Sequence, residues 1–203
     1  MMTKKRAVKI PDWAGKLIEE EMDGCPVIKG FESPIKDAGF FLADLGHRPM
    51  AMVHGDDVVS LGTCGPGKVV ETKTGLAGIL SPGEAVVFDF TGPVVPEWPE
   101  GNYTDISDGY VMFGLWGPKA LDLLQRLIPV DVERPDINEP VFLGAGSHGV
   151  FTYVINLKKK IPGFILACAR SDVQSYFDNI VHAGKPLGLK IEGIDAFMQF
   201  WKL

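Results

Sequence analysis

The sequence predicts an α+β fold made of two ferredoxin-like α/β halves with antiparallel sheets. In the second half, strand and helix patterns follow the order β-α-β-β-α, which is typical of antiparallel strands backed by two helices. The first half is mainly a series of short strands. A stretch at 93–102 contains three prolines, which can extend neither a helix nor a central strand. We therefore predict an N-terminal α+β half at 1–92, a linker at 93–102 and a C-terminal ferredoxin-like half at 103–203.

The predicted N-terminal half begins with a helix and continues as strands. Mixed apolar and acidic residues at 13–22 indicate a short helix that ends at an Asp-Gly turn. Two apolar runs at 50–53 and 58–61 flank a polar His-Gly-Asp-Asp sequence and predict a β-hairpin. Further strands are predicted at 69–70, 76–80 and 85–90.

In the C-terminal half, the most clearly bounded unit lies at 103–134. The aromatic run 110–116 follows an Asp-Gly turn and is too short for an isolated helix, so it predicts a strand. Pro118 suits the first position of a helix, because its missing N–H would have no helical partner there. Apolar residues then repeat at helical spacing as far as the next proline, which predicts a helix at 118–128. Beyond it we predict a β-like stretch at 148–157, a strand at 163–169 and a helix at 172–183.

Composition and charge argue against several classes of function. The chain has 203 residues, of which 46% are apolar and 23% are charged, as in ordinary globular proteins. A formal net charge of −6 disfavours a nucleic-acid partner, whose phosphates require a basic surface. No apolar run approaches the ~20 residues of a membrane helix, and the first twelve residues lack the apolar centre of a secretory signal. We expect a cytoplasmic protein that binds neither nucleic acid nor a membrane.

Cysteine and histidine patterns predict no metal site. Cys25, Cys64 and Cys168 are odd in number and include no Cys-x-x-Cys pair, so they indicate neither a zinc site nor a disulfide framework. The four histidines are scattered, and no two of them lie four residues apart on a predicted helix.

Three other motifs have both a chemical and a simpler interpretation. The sequence 62–68 has the glycine and lysine spacing of a P-loop, but a valine follows where a Ser or Thr would hold magnesium, and a glycine-rich turn is favoured. Asp105 and Asp108 could act as paired carboxylates, although turn formation is the favoured role. His148 lies in the glycine-rich sequence 144–149, whose backbone could approach a ligand closely.

Several short motifs occur in a consistent order along the chain. They are Thr104-Asp105-Ile106-Ser107-Asp108, Gly117-Pro118-Lys119-Ala120 with Leu123-Leu124, Pro129-Val130-Asp131-Val132 and Gly163-Phe164. Weaker likenesses are found at Ser33-Pro34, Arg48-Pro49 and Ser81-Pro82-Gly83-Glu84. In order and spacing, the chain resembles the folate-binding aminomethyltransferase family, which includes the glycine-cleavage T-protein and the gamma subunit of heterotetrameric sarcosine oxidase. The resemblance implies the same α+β architecture.

The resemblance also implies a folate site, from which this chain departs. In folate-dependent members, a glutamate after a Gly-Phe pair grips the pterin ring, whose N–H edge a carboxylate can accept in bidentate fashion. Here Gly163-Phe164 is followed by Ile165. The folate-dependent enzymes also continue into a further barrel domain, whereas this chain stops at an apolar segment, 197–203. We expect that segment to pack either on its own core or on a partner.

These departures favour an accessory, non-catalytic subunit of a sarcosine-oxidase-like or one-carbon-transfer complex, docked on a larger flavoprotein or methyltransferase subunit. Tetrahydrofolate is the cofactor that a vestigial folate-binding fold could hold, and its candidate contacts are Tyr110, Trp116, His148 and Phe164. The alternative is a small tetrahydrofolate-dependent aminomethyl- or methyltransferase that acts on its own with Asp105 or Asp108. A third interpretation is a small-molecule-binding module that uses the 144–149 sequence.

Overall fold

The computed structural model describes residues 8–32, 39–61, 65–93, 98 and 100–203. Within these ranges the chain forms thirteen strands and four α-helices. The strands are β1 (Leu17–Met22), β2 (Cys25–Phe31), β3 (Phe40–Asp44), β4 (Met50–His54), β5 (Val69–Glu71), β6 (Gly75–Ser81), β7 (Glu84–Asp89), β8 (Tyr103–Asp105), β9 (Tyr110–Trp116), β10 (Val141–Ser147), β11 (Val150–Asn156), β12 (Gly163–Ala169) and β13 (Leu189–Glu192). The helices are α1 (Asp56–Leu61), α2 (Ala120–Leu127), α3 (Val173–Gly184) and α4 (Ile194–Trp201).

A six-stranded sheet has the order β10-β11-β12-β9-β3-β13. Its neighbouring strands are antiparallel except β13 and β3, which run parallel. β9 and β12 pair along their whole lengths, from Tyr110 opposite Ala169 to Trp116 opposite Gly163. Because side chains alternate along a strand, this ladder fixes which residues of the two strands share a face of the sheet.

A five-stranded antiparallel sheet has the order β5-β6-β7-β4-β8, and β1 and β2 form a separate two-stranded ribbon. The two large sheets meet at β10, where the Phe142 N–H donates to the Gly67 carbonyl oxygen at 2.8 Å. Both large sheets take strands from either side of 93–102, since β3 lies in the six-stranded sheet and β8 in the five-stranded one. The predicted domain boundaries at 92 and 103 stay a prediction.

Two apolar layers cover the six-stranded sheet. Val111, Phe113 and Leu115 of β9 belong to the layer formed with α2 and α3. Met112 and Trp116, at the alternate positions, belong to the layer formed with α4 and with the inner face of the five-stranded sheet. A helix layer on one side and a mixed helix and sheet layer on the other therefore bury β9 on both faces.

The predicted α+β class with antiparallel sheets is confirmed, together with several of its elements. Strands 110–116 and 163–169 are β9 and β12, and the helix predicted at 172–183 is α3. The strands predicted at 69–70, 76–80 and 85–90 correspond to β5, β6 and β7. The helix after β9 begins at Ala120 instead of Pro118, because the preceding residues form a turn in which the Ala120 N–H donates to the Gly117 carbonyl oxygen at 3.0 Å.

The helix predicted at 13–22 is wrong. Asp12–Ala14 form a short 3-10 turn, and Leu17–Met22 is strand β1, which pairs antiparallel with β2. Leu and Glu favour helices weakly, by a few tenths of a kcal/mol per residue, and pairing with a neighbouring strand outweighs that preference. The three consecutive glutamates of β1 are all exposed, so both faces of the strand are solvated there.

The strand predicted at 58–61 is also wrong. β4 ends at His54, Gly55 turns the chain with a φ of 62°, and α1 follows. The side chains of Asp56 and Asp57 lie in the first turn of α1, where the helix dipole favours negative charge. Instead of forming a hairpin with 58–61, β4 pairs antiparallel with β7 and β8, which both lie later in the chain.

Three strands of the C-terminal half were not predicted, namely β8, β10 and β13. β10 takes up most of the glycine-rich sequence 144–149 and pairs with β11 along its whole length. His148 and Gly149 form the tight turn between them, with φ values of 48° and 84°. Two positive φ values are typical of a hairpin turn whose twist matches that of its strands.

Candidate functional site

An apolar groove of about 880 Å³ runs beside α4. Aromatic rings form its floor: the Trp116 ring lies 5.3 Å from that of Phe41 and is stacked at 5.6 Å on that of Phe200. Exposed apolar side chains line its margins, namely Ile18 of β1, Ile161 of the loop before β12, and Leu203. A concave, mostly apolar surface of this size is typical of a binding site.

One end of the groove carries charged side chains. Lys29 Nζ lies 3.0 Å from Asp195 Oδ1 and 3.5 Å from Glu20 Oε2. The hydrogen bond with Asp195 raises the pKa of Lys29 above its ordinary value, so the ammonium group stays protonated. Glu192, which is largely buried, also lines the groove. Among the described residues, two carboxylates thus share one ammonium group near the N-terminal end of α4.

Two strand glycines let α4 lie close to the sheet. A Cβ at Gly114 of β9 would be 2.6 Å from Cε2 of Phe197, and one at Gly163 of β12 would be 2.8 Å from Cε1 of Phe200. Carbon atoms in ordinary contact are about 3.5–4 Å apart, so any larger residue would push these rings outward. Phe197 and Phe200 are buried, and of the two predicted alternatives the apolar C-terminal segment packs on its own core.

Ile165 stands where the resemblance implies a carboxylate that grips a pterin. The side chain is fully buried in β12, opposite Gly114 of β9 and Ile155 of β11. It belongs to the same apolar layer as Phe197, whose ring lies against the adjacent Gly114. The side of the sheet that Ile165 faces is therefore filled by α4.

The four predicted cofactor contacts lie in different parts of the fold. Trp116 is in the groove floor. Tyr110 is at the other end of β9, about 20 Å away along the strand. Phe164 belongs to the opposite apolar layer, and His148 is exposed in the turn between β10 and β11. The structure thus brings one of the four to the groove, and their roles as cofactor contacts stay predictions.

Asp105 and Asp108 lie at the turn between β8 and β9. The Asp105 carboxylate accepts hydrogen bonds from the Ser107 N–H at 2.9 Å and from the Ser107 Oγ at 2.5 Å. The carbonyl oxygen of Asp108 accepts one from Arg170 Nε at 2.9 Å. Both side chains are exposed, and a carboxylate bonded to the backbone two residues further on is typical of a turn former.

Other sequence motifs lie partly or wholly outside the described residues, including Cys64 and Ser33-Pro34. Of the P-loop-like sequence 62–68, the described part forms a turn that leads into β5, where a P-loop would lead into a helix. No group of three or more His, Cys, Asp or Glu side chains that could hold a metal ion occurs among the described residues. None of the described helices is long and apolar enough to cross a membrane.

Sequence reasoning missed most of the groove. Lys29 and Asp195 come from distant parts of the chain, and Glu20 falls in the segment that was predicted to be a helix. The sequence offered two signals: Trp116, which lies in the groove floor, and the apolar C-terminal segment, of which Phe200 and Leu203 line the groove.

Comparisons with known proteins identify the fold. No protein-family model and no curated protein matches the chain. One similar solved structure is the heterotetrameric sarcosine oxidase from Corynebacterium sp. U-96 in complex with pyrrole 2-carboxylate, with a TM-score of 0.60 and 13% identity over 72% of this chain and 84% of that one. Another is the glycine cleavage system aminomethyltransferase T from Bartonella henselae, with a TM-score of 0.63 and 10% identity over 91% of this chain. The chain has a T-protein-like fold, and it spans 58% of the aminomethyltransferase chain.

Proposed function

We propose that this chain is an accessory, non-catalytic subunit of a cytoplasmic amine-oxidising or one-carbon-transfer assembly, docked on a larger flavoprotein or methyltransferase subunit. The observation that carries the proposal is the burial of Ile165. A pterin needs an acceptor for its N–H edge, and an aliphatic side chain supplies none. The loss of the acceptor leaves a scaffold suited to contact with another protein.

The packing of α4 supports the same proposal. Phe197 fills the space beside Gly114, on the side of the sheet that Ile165 faces. A flat ring system could reach Ile165 only after α4 had left the sheet, which would expose two buried phenylalanines to water. Fully exposing such side chains costs about 1.5–3 kcal/mol each, so the covered state is strongly favoured.

The comparison with the sarcosine oxidase bears on the proposed partner. That protein is heterotetrameric, so a fold of this kind occurs in an oxidase that has several subunits. We extend this arrangement to the present chain as a proposal. The alternative, an independent tetrahydrofolate-dependent transferase, has less support because the Asp105 carboxylate is engaged by Ser107 within its own turn.

The proposal is tested by isolating the tagged full-length chain from its native cells and by measuring folate binding to the purified chain. We expect the visible absorbance of a flavin to co-elute with the chain in a complex larger than a monomer, as a flavoprotein partner would carry that cofactor. If a corrinoid or methyltransferase subunit co-elutes in place of a flavoprotein, the assembly is a one-carbon-transfer complex and not an amine oxidase. Calorimetry with 5-formyltetrahydrofolate should give no heat of binding. A stable monomer that binds reduced folate and turns over without another chain would refute the accessory role.

A further inference from the structure

Three of the large apolar side chains that the protein exposes to solvent gather at one groove. Ile18 is 47% exposed, Ile161 is 41% exposed and Leu203 is 83% exposed, and all three line the groove beside α4. Contiguous exposed apolar surface with a polar margin usually marks an interaction site, whereas single exposed apolar residues need no explanation. The groove is therefore the surface of the described chain that most needs a partner to cover it.

Charge along the groove is distributed unevenly. At the N-terminal end of α4, the carboxylates of Glu20 and Asp195 share the ammonium group of Lys29, the one cation paired with them among the described residues. At the C-terminal end, Lys159 Nζ donates to the Trp201 carbonyl oxygen at 2.7 Å, and the neighbouring Lys160 lines the groove. The eight residues of α4 separate the two ends by about 10 Å.

We infer that this groove binds an extended or helical segment of a protein partner that carries a bulky apolar side chain next to a lysine or arginine. The apolar side chain would lie on the Trp116, Phe41 and Phe200 rings, and the basic group would approach Asp195 and Glu20. The acidic end favours a cation because its carboxylates exceed the one ammonium group between them, while Lys160 disfavours a second cation at the other end. This inference rests on the proposed function and names the surface through which the subunit docks.

The apolar floor and the charged end make separate contributions to binding. Burying one large apolar side chain contributes about 1.5–3 kcal/mol, and apolar or aromatic anchors in a pocket dominate the energy of most interfaces. The charged end is more exposed, with a side-chain exposure of 57% for Asp195, so it selects between partners more than it tightens binding.

The experiment uses the purified full-length chain to select binders from a phage-displayed library of random dodecapeptides. We expect the selected peptides to share an aromatic or large aliphatic residue beside a lysine or arginine. Fluorescence anisotropy then measures their affinity for three variants. Asp195→Lys should weaken binding about tenfold, because one attraction becomes a repulsion. Ala196→Arg, which places a long side chain in the groove, should abolish binding, and Asp178→Lys on the exposed face of α3 should leave it unchanged.

Each other occupant gives a distinct result that would overturn the inference. If the selected peptides lack a basic residue, or if they bind the Asp195→Lys variant as tightly as the unchanged chain, the acidic end of the groove does not bind a cation. Competition of the peptides by 5-formyltetrahydrofolate would make the groove a small-molecule site, and a dimer in light scattering that Ala196→Arg dissociates would make it a contact between copies of this chain. Circular dichroism checks that Ala196→Arg is folded, and Asp195→Lys on the surface tests the groove independently. Because the selection contains no flavoprotein, it can fail or succeed separately from the test of the accessory role.

Discussion

Replacing Gly114 with alanine should separate α4 from the six-stranded sheet. The new Cβ would lie 2.6 Å from Cε2 of Phe197, about 1 Å short of an ordinary carbon contact. Phe197 is fully buried among other rings, so it cannot move aside without disturbing them. Overpacking of this kind costs about 1–3 kcal/mol, and a loss of 2 kcal/mol lowers the melting temperature of a chain of this size by about 4–8 °C.

Thermal and urea unfolding followed by circular dichroism measure this cost. The matched control is Gly146→Ala on β10, where an added Cβ meets no atom within 4 Å and where we expect no loss of stability. In a Phe197→Leu background, Gly114→Ala should cost less than about 0.5 kcal/mol, since the ring that it strikes is gone. An equal cost of Gly114→Ala with and without the Phe197 ring would refute the assignment of this glycine to the packing of α4.

Three further outcomes follow from individual side chains. Arg170→Met should lower the unfolding free energy by about 1–3 kcal/mol in urea denaturation, because Arg170 donates to three backbone carbonyls around the turn between β8 and β9; an unchanged midpoint would contradict this. Burial lowers the pKa of His47 from its ordinary 6.5 to about 3. The unfolded chain therefore takes up a proton first as the pH falls from about 6.5 towards 3, and stability should decrease over that window, less steeply in His47→Gln. Ile165→Glu should cost more than about 3 kcal/mol without creating folate affinity, whereas Ile165→Met should cost less than about 1.5 kcal/mol; calorimetric folate binding by the Glu variant would contradict this.

Local signals in the sequence predicted β9 and, with a start two residues too early, α2. Turn-forming residues with restricted backbone angles bound these elements, such as the Asp-Gly turn before β9. The local signals failed at β1, where Leu-Ile-Glu-Glu-Glu has the intrinsic preferences of a helix and only the partner strand β2 makes it a strand. They also missed β10, because a strand with two glycines lacks the β-branched side chains by which strands are recognised.

The groove itself could not be predicted from the sequence, because residues that are far apart along the chain form it. Trp116 was predicted as a candidate tetrahydrofolate contact, but its neighbours Phe41 and Phe200 in the groove come from distant parts of the chain. The interaction of Lys29 with Asp195 likewise depends on how α4 lies against β2, and no sequence period encodes such a contact. The fold could be inferred from an ordered series of motifs, whereas the charged end of the groove could be found only from the structure.

The parallel pairing of β13 with β3 has a consequence for how this protein is made. Leu189 lies opposite Phe40, so the last edge of the sheet joins residues roughly 150 positions apart. During synthesis on the ribosome, this edge of β3 stays unpaired until the roughly 150 residues between β3 and β13 have been made. Pairing over such a separation forms slowly, and an uncovered edge of this kind invites contact with other nascent chains. We expect the pairing of β13 with β3 to be the folding step that depends most on chaperones in the cell.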